Sequence, residues 1–316
     1  MEENKEHGMQ NSDISVEKRS RGFLRDLISG VCIGVAFIIP GFSGGSVAAI
    51  LGIYERLVGA IAGVLHSFKN SIRTLLPVGI GLVLGAVALL FPLEAMLGRF
   101  PLPTVSLFVG LALGGLPTII KNVEGKPSGG EIASLAVALV PAAALSFIPV
   151  GADVDLFSIG FFGYVLLFIV GVIGSSALVI PGISGSMLLL ILGYYNPIVN
   201  LVTDHLFKFR DLGRCVLVLG ACGLGIVVGF FLISVLMKHL LAQHPRKTYC
   251  AIIGFIIGSL PTVYVSTMKS AGMLTTSLEL VWAPTSVLHY AACIFMLIMG
   301  ACASYTLATA VGKQAE

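Results

Sequence analysis

The sequence predicts an all-α multipass membrane protein made of two inverted repeats. Each repeat is expected to be a re-entrant helical hairpin followed by two transmembrane helices. A linking helix near 132–152 joins the repeats, and a final helix near 285–311 closes the chain. Three observations predict this architecture: charge is scarce, the charge-free windows have the length of a bilayer crossing, and the chain repeats itself.

Only 11% of the 316 residues are charged and 56% are hydrophobic, with a mean hydropathy of +0.99. Soluble chains carry roughly a quarter charged residues because their surface faces water. This composition excludes a disordered chain and a small disulfide-stapled secreted fold. A net charge of +3 gives no argument for nucleic acid.

The first element, residues 1–22, is polar and is read as a cytoplasmic tail. Residues 1–26 hold five basic and six acidic side chains. They lack the short basic stretch, apolar core and small-residue cleavage site of a signal peptide, so the tail is expected to be retained. From there a single transmembrane domain over 23–312 follows. Its charge-free windows are 27–54, 74–93, 100–120, 132–152, 156–203, 215–237, 248–268 and 280–312. Crossing the hydrocarbon core takes about 20 apolar residues. The window 156–203 is more than twice that length and must hold two segments or a hairpin.

Laid against itself, the sequence aligns Ile38–Tyr54 with Val179–Tyr195, and nine of the 17 positions are identical. A slightly larger shift then pairs Gly81 with Gly225, Gly85 with Gly229, Gly110 with Gly254, Gly114 with Gly258, and Leu116-Pro117-Thr118 with Leu260-Pro261-Thr262. An apolar background gives chance matches of Leu and Ile, but not an ordered series of Gly and Pro. Repeat one is placed at about 24–121 and repeat two at about 159–268. The small-xxx-small pairs Gly81/Gly85 and Gly225/Gly229 are read as close helix packing.

The positive-inside rule sets the orientation. If 27–54 and 156–203 each crossed once, 10 basic residues would fall inside and 9 outside. If both return to the side they entered from, 14 are inside and five outside. The second arrangement leaves an odd number of crossings between the repeats, which inverts them. Both termini are then cytoplasmic.

Pro40-Gly41-Phe42-Ser43-Gly44-Gly45 and Pro181-Gly182-Ile183-Ser184-Gly185-Ser186 each interrupt a charge-free run near its middle. Proline removes a backbone donor and glycine weakens a helix, so each turn ends a helix at mid-membrane depth. Irregular backbone there is tolerated only inside protein or beside a wet cavity. Two helices restarting at the midplane from opposite sides present N–H groups and dipole ends that suit an anion. The expected substrate site is Gly41, Ser43, Gly44, Gly45 and Ser46 with Gly182, Ser184, Gly185 and Ser186. Glu55 and Arg56 follow the first turn, where the second repeat has Asn196 and Pro197. The Arg56 fork suits a phosphate; as an interfacial arginine it would instead snorkel to head groups. Glu94 and Arg99 sit between two spans, and Lys208, Arg210 and Arg214 form an outer basic cluster that could gather anionic head groups.

No catalytic or metal motif is present. The six cysteines form no CxxC pair, the histidines no HExxH, and neither GxSxG nor a phosphate-binding GxxxxGK[ST] occurs. A transporter without metal, cofactor, disulfide framework or enzymatic activity is expected.

The stretches IPGFSGGSVAAILGIYERL at 39–57 and IPGISGSMLLLILGYY at 180–195 resemble the bacterial polyprenyl-phosphate translocases of the PopT type, a resemblance covering nearly all of 22–312. Membership implies a plasma-membrane flippase returning undecaprenyl phosphate, the lipid carrier of peptidoglycan precursors, from the outer to the cytoplasmic leaflet. It implies a polyprenyl-phosphate lipid and membrane lipids as partners; a homo-oligomer is compatible with it. The family usually has Thr at Ser46 and a charged residue at Asn196. Two rivals stay open on the residues alone: a small-anion channel or secondary transporter using the same broken-helix site, and a scaffold whose turns only pack.

Overall fold

The computed structural model describes residues 22–37, 43–148, 151–182, 184–206, 208, 210–270, 272–273 and 286–313. Among them there is no strand. Helix α1 occupies 22–37. It is followed by α2 (Gly44–Ile50), α3 (Tyr54–Ala62), α4 (Phe68–Arg99), α5 (Pro101–Ile120) and α6 (Gly129–Ala144). The series then recurs as α7 (Phe161–Val179), α8 (Gly185–Ile191), α9 (Tyr195–Asn200), α10 (Leu212–Gln243), α11 (Pro245–Ser270) and α12 (Val287–Lys313). Six of these, α4, α5, α7, α10, α11 and α12, are long and apolar enough to cross a membrane. Their outward faces are apolar too, with Phe161, Phe162 and Val287 each about four-fifths exposed, as a lipid-facing surface requires.

The short helices α2 and α8 end alike. Gly52 and Gly193 adopt positive φ, 68° and 77°. Gly52 N–H donates to Ala49 O and Ile53 N–H to Ala48 O; Gly193 N–H donates to Leu190 O and Tyr194 N–H to Leu189 O. This is the Schellman cap, whose left-handed residue is most often glycine. It turns the chain abruptly from α2 into α3 and from α8 into α9.

Glycines then set the helix pairing. A Cβ at Gly30 would meet Val78 O at 2.2 Å, and one at Gly34 would meet Leu82 O at 2.1 Å. Gly81 faces Leu27, and Gly85 faces Val31. Residue numbers rise together along both helices, so α1 and α4 run parallel with backbones in contact. In the same way Gly225 lies on Phe168 and Gly229 on Val172, making α7 and α10 parallel. Gly110 and Gly114 of α5 lie on Leu297 and Ala301 of α12, while Gly254 and Gly258 of α11 lie on Leu135 and Leu139 of α6. Each six-helix series thus sends its last helix onto the fifth helix of the other.

The helix expected near 132–152 as a plain link is shorter and placed differently. It begins at Ser128 with a capping box closed by Glu131, and packs along α11. Ser106, early in α5, meets Tyr264, late in α11, at 2.9 Å. Beyond the end of α5, Lys126 and Glu131 meet Arg246 at the start of α11. The two matched helices α5 and α11 therefore run antiparallel.

Candidate substrate site at the two broken turns

The described parts of the two Pro-Gly-x-Ser-Gly turns touch. Ser43, the residue before α2, donates its hydroxyl to Ala177 O near the end of α7 at 3.3 Å. A Cβ on Gly45 would stand 3.1 Å from Val179 O and 3.3 Å from Pro181 N. Tyr54, at the start of α3, donates to Val179 O at 2.9 Å. Ser43, Ser46 and Ser184 are all buried. Gly182 has φ of 86° and lies against Phe255 and Ile256 of α11. Gly41, and the Ser186 side chain, lie outside the described residues, as does the Glu94 side chain. Residues 1–21 of the tail do also.

The Ser43 hydroxyl is aimed across the molecule rather than into an open site. A hydroxyl has one proton to give. To bind an anion Ser43 must re-aim it, so the arrangement described here is a closed contact between turns.

Glu55 and Arg56 are both engaged. Glu55 accepts from Tyr249 Oη at 2.6 Å. Arg56 forms a short ion pair with Asp26 of α1, and Arg25 Nε stands 4.0 Å from the same carboxylate. The open guanidinium fork expected at Arg56 is thus closed on a carboxylate. The reason is burial: Asp26 is only 5% exposed, and a buried carboxylate without a counter-charge is costly. Nε of both Arg25 and Arg56 is shielded and has no acceptor among the described residues. Two donors therefore remain beside the pair.

Asp26, Arg25 and Tyr249 were not among the residues picked from sequence. A signal for Asp26 existed: it is the last charge before the window 27–54, and Glu55 and Arg56 are the first after it. A segment that returns to its own side brings those ends together.

Within the basic cluster of Lys208, Arg210 and Arg214, the lysine is paired with a carboxylate. Lys208 pairs with Asp204, holding that carboxyl below its usual range through hydrogen bond and charge. His205 Nδ1 stands 3.2 Å from Asp211, and Arg214 lies over the Phe157 ring at 5.8 Å. Nearby, the Asp155 carboxyl is held low by the Phe157 N–H and then the Ser158 hydroxyl. In the second repeat Asn196, at the place of Glu55, donates to Asp153 at 3.2 Å, and Pro197 stands at the place of Arg56.

An apolar cavity of about 280 Å³ adjoins the first turn. Ile33 and Phe37 of α1, Ala48 of α2, Val58 of α3, Gly79 of α4 and Phe230 of α10 line it. The described residues contain no group of His, Cys, Asp and Glu placed to hold a metal.

A family model described as undecaprenyl phosphate translocase-like matches residues 33–281, which include both turns and α2 through α11. The chain belongs to this family. A Staphylococcus aureus protein named polyprenyl-phosphate transporter is 28% identical over 246 residues, covering 76% of this chain and 85% of its own length. A Vibrio cholerae protein of the same name is 27% identical over 122 residues, 34% of this chain and 40% of its own. No solved structure matches the chain. Arg25 and Asp26 precede the stretch matched by the family model, although they supply two members of the charge cluster.

Proposed function

We propose that this protein is a polyprenyl-phosphate transporter of the bacterial plasma membrane, returning undecaprenyl phosphate from the outer to the cytoplasmic leaflet without enzymatic chemistry. The observation that carries this reading is the contact between the two matched turns in a chain of this family. A phosphate monoester carries between one and two negative charges, and bare passage through hydrocarbon is prohibitive. Polar groups at mid-depth in the bundle give that head a path while the prenyl tail stays in lipid.

Several contacts support the inverted, re-entrant reading. Because α1 and α4 are parallel, the chain between them must come back to the side where α1 began. The same holds between α7 and α10. The antiparallel run of α5 and α11 supports opposite senses for the two repeats, and inverted repeats let one site face either leaflet in turn. The residues assigned to the phosphate are Gly41, Ser43, Gly44, Gly45 and Ser46, with Gly182, Ser184, Gly185 and Ser186 from the second turn. Arg56 meets the head where it reaches the cytoplasmic end, with Glu55 beside it.

The test is leaflet exchange of labelled undecaprenyl phosphate in liposomes holding the purified protein. Exchange should be accelerated by the wild type, and lost in Arg56→Ala and in the Ser43→Ala/Ser184→Ala double variant. Passage of chloride or inorganic phosphate without lipid exchange would instead establish the small-anion pathway.

A further inference from the structure

The apolar cavity beside the first turn is lined at places where the matched residues of the two repeats differ. The shift that matches the turns places Ala48 opposite Leu189. In α8, Leu189 reaches Gly174, with its Cδ2 3.4 Å from where a Cβ would be, and joins an apolar cluster. In the first repeat the small residue is Ala48 of α2 and the large one is Ile33 of α1, at the place of Gly174, and the cavity lies beside both, next to Gly79 of α4. A Cβ added at Gly79 would meet nothing within 4 Å. Gly79 and Phe37 are also exposed on the outer, membrane-facing surface, so the cavity has an opening toward lipid.

The charge cluster lies beyond this apolar lining, on two of the helices that form it. On α3, Tyr54, Leu57, Val58 and Ile61 line the cavity at the i, i+3, i+4, i+7 spacing of one helix face. Arg56 is on the same short helix, off that face, and pairs with Asp26. On α1, Asp26, Ile33 and Phe37 follow one another at intervals of seven and four, which again keeps them on one face. Ile33 is about 10 Å along the axis from Asp26. A ligand filling this space has an apolar body in the cavity and an anionic end beside Arg56 and Arg25. An apolar cavity of about 150 Å³ holds a benzene molecule, so this one holds about two five-carbon units.

We propose that the cavity is the binding pocket for the isoprenoid units nearest the phosphate of a prenyl-phosphate lipid. This rests on the transport reading above and adds to it the place where the tail is recognised. The tail enters sideways past Gly79 and Phe37, and Leu178 and Val179 of α7 with Phe230 of α10 complete the wall from the second repeat.

The test uses the full-length protein in nanodiscs and an undecaprenyl phosphate carrying a photoreactive diazirine in its first isoprene unit. Adducts should map to the α1 and α4 segments around Ile33 and Gly79. Gly79→Leu fills the pocket at its mouth, and Ala48→Leu fills it with the residue α8 carries. Each should lower the adduct yield and leaflet exchange at least about tenfold, the effect of losing burial for two carbon groups. Gly223→Leu, at the matched place in α10 and also with nothing within 4 Å, should leave both unchanged.

Two variants filling the same space by different helices guard against one that simply misfolds, and a thermal midpoint identifies such a case. Well-folded Gly79→Leu and Ala48→Leu proteins with wild-type adducts and exchange would overturn the pocket while leaving transport standing. Adduct formation suppressed equally by dioleoyl phosphatidic acid would also overturn it, since any phosphate-headed lipid would then fill the space. A wild type that neither labels nor exchanges the lipid overturns the transport reading, and this one with it.

Discussion

At the scale of single residues, the pair that matters most is Arg56 and Asp26. The carboxylate is buried and the guanidinium is partly exposed, with 38% of its side-chain surface accessible, so the two have unequal stakes in the bond. Removing Arg56 leaves a buried charge unpaired, whereas removing Asp26 leaves a cation that water and head groups can solvate. Arg56→Ala should therefore lower stability by about 1–2 kcal/mol, a value discounted for the exposure of the arginine. The double variant Arg56→Ala/Asp26→Asn should recover most of that loss. If Arg56 serves the phosphate, exchange in liposomes stays abolished in the double variant although the thermal midpoint returns. Recovery of both together would assign Arg56 to folding alone. Asp26→Asn by itself should leave Arg56 free and raise affinity for the phosphate head, read as a lower half-saturating lipid concentration.

At the scale of helices, stability depends on glycines that let backbones touch. A Cβ at Gly81 would stand 2.1 Å from Leu27 O, and one at Gly225 would stand 2.1 Å from Phe168 O. Backbone atoms cannot swing aside as a side-chain end can. Gly81→Ala and Gly225→Ala should each cost about 1–3 kcal/mol, the usual range for overpacking, visible as a lowered thermal midpoint in detergent. Gly98→Ala and Gly220→Ala, where nothing stands within 4 Å, should be neutral or slightly stabilising, since alanine favours helix. These glycines were legible in the sequence as close-packing sites because their spacing repeats. Their partners were not, because a small-xxx-small pair shows that a backbone approaches without saying which one. The same limit hid Asp26, whose partner lies on another helix far along the chain. Ala48 could be seen to differ from Leu189, but only packing shows that Ala48 lines a cavity. The broken turns and the Schellman glycines, by contrast, are local rules of backbone chemistry and could be read from the order of residues.

At the scale of the whole molecule, the exchange of last helices ties the two halves together. Helix α6 lies on α11 and α12 on α5, each along a glycine-lined seam, so neither repeat can move alone without carrying a helix of the other. The contacts also require a consistent set of sides. Asp26 meets Arg56, Glu55 meets Tyr249, and Glu131 meets Arg246, which places the starts of α1, α3, α6 and α11 at one end of the bundle. Asn196 meets Asp153, and both lie beyond the far end of α6.

This assignment has a direct measurement in a chain whose six native cysteines have been replaced. Single cysteines at Ser67 and Glu124 should react with an impermeant maleimide only from the cytoplasmic side, and those at Arg99 and Ser158 only from outside. The decisive position is Ser67, between α3 and α4. If the segment 27–54 crossed the membrane once, Ser67 would react from outside, and α1 could not run parallel to α4 within the same bilayer. Labelling of Ser67 from the cytoplasm, with Arg99 labelled from outside, leaves the returning path as the one consistent with both the glycine seam and the 14 basic residues the returning arrangement places inside.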